Sequence, residues 1–152
     1  MSVSECRIRE MTEDDIPSVM VIERASFPTP WTELMFGCQL KLEGIAINLV
    51  ILEDEGIIGY ATAWVAYDEI HLLSIAVSPG RRERGYGEIM LREVIGRGKA
   101  MGAIKVVLEV RAGNVTAQAF YCERGFRVIG KREGYYKETG EDALIMELKL
   151  HE

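Results

Sequence analysis

The stretch Ile75-Ala76-Val77-Ser78-Pro79-Gly80-Arg81-Arg82-Glu83-Arg84-Gly85-Tyr86-Gly87-Glu88 decides how this chain is read. The apolar run Ile70–Val77 reads as a buried strand. A turn dense in arginine and glycine follows. Glu88–Met101 then carries apolar residues at 90, 91, 94, 95 and 101 with charge on the opposite side, the pattern of an amphipathic helix. A helix start exposes about four unpaired N–H donors and roughly half a positive charge. Gly85 and Gly87 carry no Cβ, so an anion can approach the main chain closely. Arg81, Arg82 and Arg84 raise the local potential. Together these features describe a cradle for a diphosphate. The stretch contains no GxxxxGK[ST], and Met90 stands where a dinucleotide fingerprint needs its last glycine. An arginine-rich surface turn is the plain alternative.

Working outward, Ile104–Val110 alternates, with Ile104, Val106, Leu108 and Val110 on one face of a strand. Asn114 caps a helix that stops at Gly125. Phe126–Lys131 and Asp142–Leu150 read as closing strands joined by a polar, Tyr-containing turn. Upstream, Cys6–Arg9 is a short strand. A helix follows, capped by Asp14 or Asp15 with Pro17 in its first turn, and runs to about Ala25. Phe27–Trp31 is a break and Thr32–Leu42 a second helix. Ala46–Leu52 and Ile57–Tyr67 flank the acidic turn Glu53-Asp54-Glu55-Gly56, a hairpin signal. The order β-α-α-β-β-β-α-β-α-β-β predicts an α/β (α+β) fold. Its single sheet is mixed and mostly antiparallel, with helices on both faces.

The 152 residues make one domain spanning 1–152, long enough for a core without metals or disulfides. Apolar residues are 48% and charged residues 28%, which argues against a disordered chain. The net charge of −6 disfavours binding to a nucleic-acid backbone, so no nucleic-acid partner is expected. The longest uncharged run, Gly56–Tyr67, has 12 residues, too few to span a bilayer, and Met1–Glu10 has no apolar leader core. No membrane partner is expected. Cys6, Cys38 and Cys122 are widely spaced, form no CxxC pair and cannot build a metal cage with His71 and His151. That fits a reducing, cytoplasmic setting without a metal.

Glu109 lies opposite the core-facing set at the C-terminal end of its strand, where ligands approach parallel arrangements. By spacing alone it is either a base or a solvated strand-end carboxylate. With Gly125 in the αL position after the helix, Tyr121 falls where a Schellman stop packs a side chain on Phe126. Its hydroxyl is still free to point elsewhere. Trp31, Tyr135 and Tyr136 are turn aromatics that either wall a binding slot or pack as a lid. His71 reads as a packed strand residue and Cys122 as inert core.

Arg82-Glu83-Arg84-Gly85-Tyr86-Gly87 resembles the Arg/Gln-x-x-Gly-x-Gly/Ala loop of the GCN5-related N-acetyltransferases, which binds the pyrophosphate of acetyl-CoA. Leu108–Asn114, Ala119-Phe120-Tyr121 and Arg124-Gly125-Phe126 are similar to the family's second block. Phe27-Pro28, Pro30-Trp31, Tyr135-Tyr136 and Glu141-Asp142-Ala143 resemble the bacterial ribosomal-protein-alanine branch and its archaeal relatives. The resemblance implies a parallel strand pair that splays to admit acetyl-CoA. Its contacts would come from Ile75, Ala76 and Val77 through backbone, from Arg82, Glu83, Arg84, Gly85, Tyr86, Gly87 and Glu88 in the loop, and from Asn114 and Tyr121. It implies Glu109 as the base, Tyr121 as the acid, and Trp31, Tyr135 and Tyr136 around the N-terminal segment of a protein substrate. Relatives often carry a basic residue where this chain has Glu83 or Glu88, and Asn where it has Gly134.

An α-amino group titrates near ~7.7–8 and a lysine near ~10.4, so freeing the α-amine costs roughly 3–4 kcal/mol less. One carboxylate and a water suffice for that. A lysine or small amine is the alternative acceptor, and a non-catalytic CoA-binding module the alternative outside enzymes.

Overall fold

The computed structural model describes residues 6–151, so the leader expectation at Met1–Glu10 falls partly outside the described residues. The elements are β1 (Cys6–Glu10), α1 (Ile16–Ser26), α2 (Glu33–Leu40), β2 (Ala46–Glu53), β3 (Gly56–Ala66), β4 (Glu69–Val77), α3 (Tyr86–Ala100), β5 (Lys105–Arg111), α4 (Val115–Glu123), β6 (Arg127–Tyr136) and β7 (Glu141–Lys149). The strands form one seven-stranded sheet in the order β1-β2-β3-β4-β5-β7-β6. Neighbours are antiparallel except β4 and β5, which run parallel. The mixed, mostly antiparallel sheet read from the sequence is what forms.

Alternation along each strand feeds two apolar layers. Leu49 and Ile51 of β2 enter one core with Met90, Leu91 and Val94 of α3 and Val106, Leu108 and Val110 of β5. Val50 and Leu52 enter the other, with Val19, Met20 and Ile22 of α1 and Phe36 of α2. Helices therefore cover both faces. Each such side chain, once buried, contributes roughly 1.5–3 kcal/mol.

The alternation of β4 is interrupted once. Thr62 of β3 pairs with Ser74 and Ala63 pairs with Leu72, which leaves Leu73 as an extra residue. Before this bulge Ile70 and Leu72 face the α3 layer. After it Ile75 and Val77 do, while Ala76 faces the α1–α2 layer. A bulge bends its strand and raises its twist. β4 pairs with β5 only at Glu69↔Lys105, Ile70↔Val106 and His71↔Val107, and beyond His71 the two strands part.

Several boundaries differ from the sequence reading. β5 starts at Lys105, and Ile104 is 57% exposed, because its N–H bonds to Asp68 O in a turn instead of joining the core. α3 starts at Tyr86, two residues early, because Gly85 (φ +89) serves as its N-cap. β6 continues to Tyr136, so Tyr135 and Tyr136 sit at a strand end and not in a turn. Cys122 is exposed, not core, because α4 turns that side to solvent. Asp15 does occupy the N-cap of α1, but its carboxylate is taken by Arg9, at 2.7 and 2.9 Å, and by the N–H of Thr12. Among the described residues no helix is long and apolar enough to cross a membrane.

Candidate active site

The parting of β4 and β5 opens a cleft at the centre of the sheet. Ile75, Ala76 and Val77 lie on the β4 side of it, beyond the last shared rung. Ile75 and Val77 are half-buried and Ala76 is buried, so what β4 offers toward β5 there is mainly main chain. On β5, Val106, Leu108 and Val110 face α3, which turns Glu109 and Arg111 to the α1–α2 face.

The loop at the end of β4 is closely tied. Ser78 N–H bonds to Ile58 O and Arg81 N–H to Ser78 O, each at 2.8 Å. Glu83 (φ +62) and Gly85 (φ +89) both adopt the left-handed region. No side chain caps α3, and the space where a Gly85 Cβ would stand is open to 4 Å. A Cβ on Gly87 would meet the Phe120 ring at 3.4 Å. A helix start with no side-chain cap, beside open space, fits a diphosphate. Arg82 reaches back, its guanidinium donating to Val77 O and Ser26 Oγ at 3.0 Å each. Arg84 is exposed. Glu88 is bridged by Arg92 at 3.2 Å and Arg124 at 3.0 Å, which offsets its charge beside the loop. Tyr86 is 2% exposed with its ring in the core, so only its main chain can face a ligand.

Glu109 Oε1 lies 3.0 Å from His71 Nε2, and the His71 ring stands edge-on to Trp64 with centroids 5.5 Å apart. The hydrogen bond from His71 holds the Glu109 carboxyl below its usual value. Burial opposes this, and the charges of His71 and Arg132 add to the lowering. His71 does pack, as the sequence suggested, but it also grips the candidate base. Its position on the last rung before the strands part is a tertiary fact that no spacing in the sequence carries.

Tyr121 lies on α4, its ring 5.2 Å from both Phe120 and Phe126. Phe126 N–H bonds to Tyr121 O and Gly125 N–H to Cys122 O at 3.1 Å each, with Gly125 at φ +95, which is the Schellman stop expected. Burial pushes the Tyr121 hydroxyl up to about 12. Asn114 caps α4, its Oδ1 accepting from Ala117 N–H at 3.1 Å.

The aromatic residues are anchored by charges that the sequence reading missed. The Arg111 guanidinium sits 3.9 Å over the Tyr136 ring and 3.2 Å from Glu141, tying the β6–β7 hairpin to the end of β5. Tyr135 is exposed and stacks edge-on against Tyr136 at 5.1 Å. Trp31 is half-buried, 5.0 Å from Phe36, and helps line an open groove of about 510 Å³ beside Arg24 and Leu34. Glu23, 3% exposed, accepts from Trp31 N–H at 2.9 Å and from the Tyr60 hydroxyl. Burial beside Glu23 raises the Tyr60 hydroxyl far above its usual value. Glu23 could have been found, since it occupies the apolar stripe Ile16, Val19, Met20 at i+7.

Comparison with known proteins agrees with this geometry. The sequence pattern of the acetyltransferase (GNAT) family matches residues 16–126. A ribosomal protein bS18-alanine N-acetyltransferase of Salmonella typhimurium is 34% identical over 143 residues, covering 92% of this chain and 95% of that one. The crystal structure of the ribosomal-protein-S18-alanine N-acetyltransferase from Escherichia coli superposes with a TM-score of 0.86 at 30% identity, covering 97% of this chain and 95% of the other. Ard1 from Thermoplasma volcanium, at 24% identity and a TM-score of 0.88 over 97% and 99% of the two chains, shares the fold. With a parted parallel strand pair, an uncapped glycine loop and relatives matched along nearly their whole length, this chain belongs to the acetyltransferase (GNAT) family.

Proposed function

We propose that this chain is an acetyl-CoA-dependent N-alpha acetyltransferase. It would transfer acetyl directly to the α-amino group of a protein N-terminus, such as the N-terminal alanine of a ribosomal protein. The observation that carries the reading is the junction of three features at the β4–β5 parting: the open main-chain edge of β4, the uncapped start of α3, and the His71-supported carboxylate of Glu109. The names of the relatives from Salmonella typhimurium and Escherichia coli favour the ribosomal substrate.

Bound acetyl-CoA supplies an activated acyl carbon. The N–H groups at the start of α3, with the exposed Arg82 and Arg84, would hold its diphosphate, and the main chain of Ile75–Val77 would hold its arm with Asn114 beside it. Glu109, ionised at neutral pH, takes the proton of the incoming amine through an intervening water, and His71 keeps that carboxylate oriented. Tyr121, kept protonated by burial, gives a proton to the departing sulfur. Trp31, Tyr135 and Tyr136 wall the peptide. Attack is direct, without an acyl-enzyme: the Cys122 thiol is turned to solvent while the neighbouring Tyr121 is half-buried, so it is not the nucleophile. The peptide is recognised by its leading residues and not through RNA, in keeping with the net charge of −6. The exposed thiols of Cys38 and Cys122 accord with a reducing cytoplasm.

Free-thiol release with acetyl-CoA and a panel of peptides tests the reading. Turnover is expected on peptides with a free N-terminal alanine. It should vanish when that amine is blocked, even where an internal lysine is present. Turnover confined to lysine side chains or polyamines overturns it.

A further inference from the structure

Two side chains of the arginine–glycine loop turn away from the cleft and meet at one carboxylate. Arg81, near the loop's start, donates from Nε to Glu53 Oε1 at 2.8 Å. Tyr86, the first residue of α3, donates from its hydroxyl to Glu53 Oε2 at 2.7 Å. The Glu53 side chain is 5% exposed at the end of β2, and each of its oxygens takes one of these bonds. The bond from Tyr86, then that from Arg81, holds the carboxyl below its usual value against its own desolvation. Glu53 was expected in the acidic turn; it instead pairs with Gly56 and leaves Asp54 and Glu55 as the turn.

Between the two anchored residues the chain adopts φ +62 at Glu83 and φ +89 at Gly85. A non-glycine residue in the left-handed region persists only where surrounding contacts over-determine it. The same backbone starts α3 without a side-chain cap, beside the open space at Gly85.

We infer that Glu53 is a positioning residue for the diphosphate cradle. It clamps both ends of the loop so that the main-chain donors are set before coenzyme arrives. The inference rests on the acetyl-CoA reading of that loop. It has an unusual sign. A carboxylate near an anion site repels the anion, so removing its charge alone would tighten binding. Removing the clamp releases the loop and weakens binding, because the ligand must then supply the ordering.

Titration calorimetry with coenzyme A on Tyr86→Phe and Glu53→Gln separates the two. Tyr86→Phe keeps the ring and every formal charge and loses one hydrogen bond. Each variant should raise Kd for coenzyme A by about fivefold to twentyfold. The double variant should lose less than the two single losses added together, since both changes touch the Tyr86–Glu53 bond. In steady state the loss should appear in KM for acetyl-CoA and not in KM for peptide, which a merely structural role would not produce. An unchanged or lower Kd in Tyr86→Phe overturns the inference, and that variant decides alone where Glu53→Gln does not fold. A wild-type chain that binds no coenzyme A, or binds it equally well as Gly85→Val, overturns the acetyl-CoA reading itself.

Discussion

The pH dependence of acetyl transfer tests the assignment of Glu109 as base and Tyr121 as acid. Glu109 is 15% exposed and receives a hydrogen bond from His71 at 3.0 Å, which holds its carboxyl below the ordinary 4.5. A depressed carboxyl stays ionised at every pH above that value. The base is therefore ready throughout the neutral range. Tyr121 is pushed up to about 12, so the proton donor stays neutral and keeps its proton past pH 10. The substrate amine then titrates within the measured range. With an α-amine near ~7.7–8, kcat/KM climbs roughly 30- to 50-fold between pH 6 and 8 and then levels. Glu109→Gln should lower kcat by about 10²–10⁴-fold, and Kd for coenzyme A should stay at the wild-type value. Initial rates from about pH 5.5 to 9.5, followed by free-thiol release on an N-terminal alanine peptide, measure both. A rate that keeps climbing past about pH 9, or one that falls between about pH 8.5 and 9.5, refutes the assignment. So does a Glu109→Gln variant within about threefold of wild type. The same depression stabilises the fold above the carboxyl's ordinary value, and that contribution is lost as pH falls through the lowered one.

Gly85→Val should weaken coenzyme A binding more than Arg82→Ala, as calorimetry would record, because a side chain occupies the anion's space while Arg82 is already shared with Val77 O and Ser26. Equal or tighter binding by Gly85→Val contradicts the cradle. Glu23→Gln leaves only one acceptor oxygen for two donors, so a thermal melt should show a loss of about 1–3 kcal/mol. It should also raise KM for peptide through the released Trp31 loop, with coenzyme A binding unaltered. The two glycines of α3 should answer alanine in opposite ways in urea melts. Gly96→Ala meets open space and should stabilise by roughly 0.5–1 kcal/mol. Gly98→Ala overlaps Ile70 Cγ1 and Cδ1, and the overpacking of about 1–3 kcal/mol outweighs the helix gain. The same sign for both would discard the packing argument.

Local chemistry was legible in advance. The glycine–arginine turn, the Asn114 cap, the Gly125 stop and the alternation of Val106, Leu108 and Val110 all depend on residues within a few positions of one another. Even so, chain neighbours misled where tertiary contacts intervened. Glu53 looked like turn acid and Tyr86 like loop lining, yet they bond to each other across 33 positions. His71 looked like a packed strand residue, and its 38-residue reach to Glu109 appears only once the parallel pair forms.

From the order of amino acids alone came the element types, the two-sided amphipathy and the anion loop, because helical and strand periods and Cβ-free glycines are properties of short windows. The tertiary structure alone decided where the sheet parts. The bulge at Leu73 exists only as a mismatch between β3 and β4, and the stretch Ile70–Val77 by itself reads as a plain apolar strand. Register is a relation between two strands. The cleft, the carboxylate aimed beside it and the clamp beneath its loop are all consequences of registers and contacts that no single stretch of chain contains.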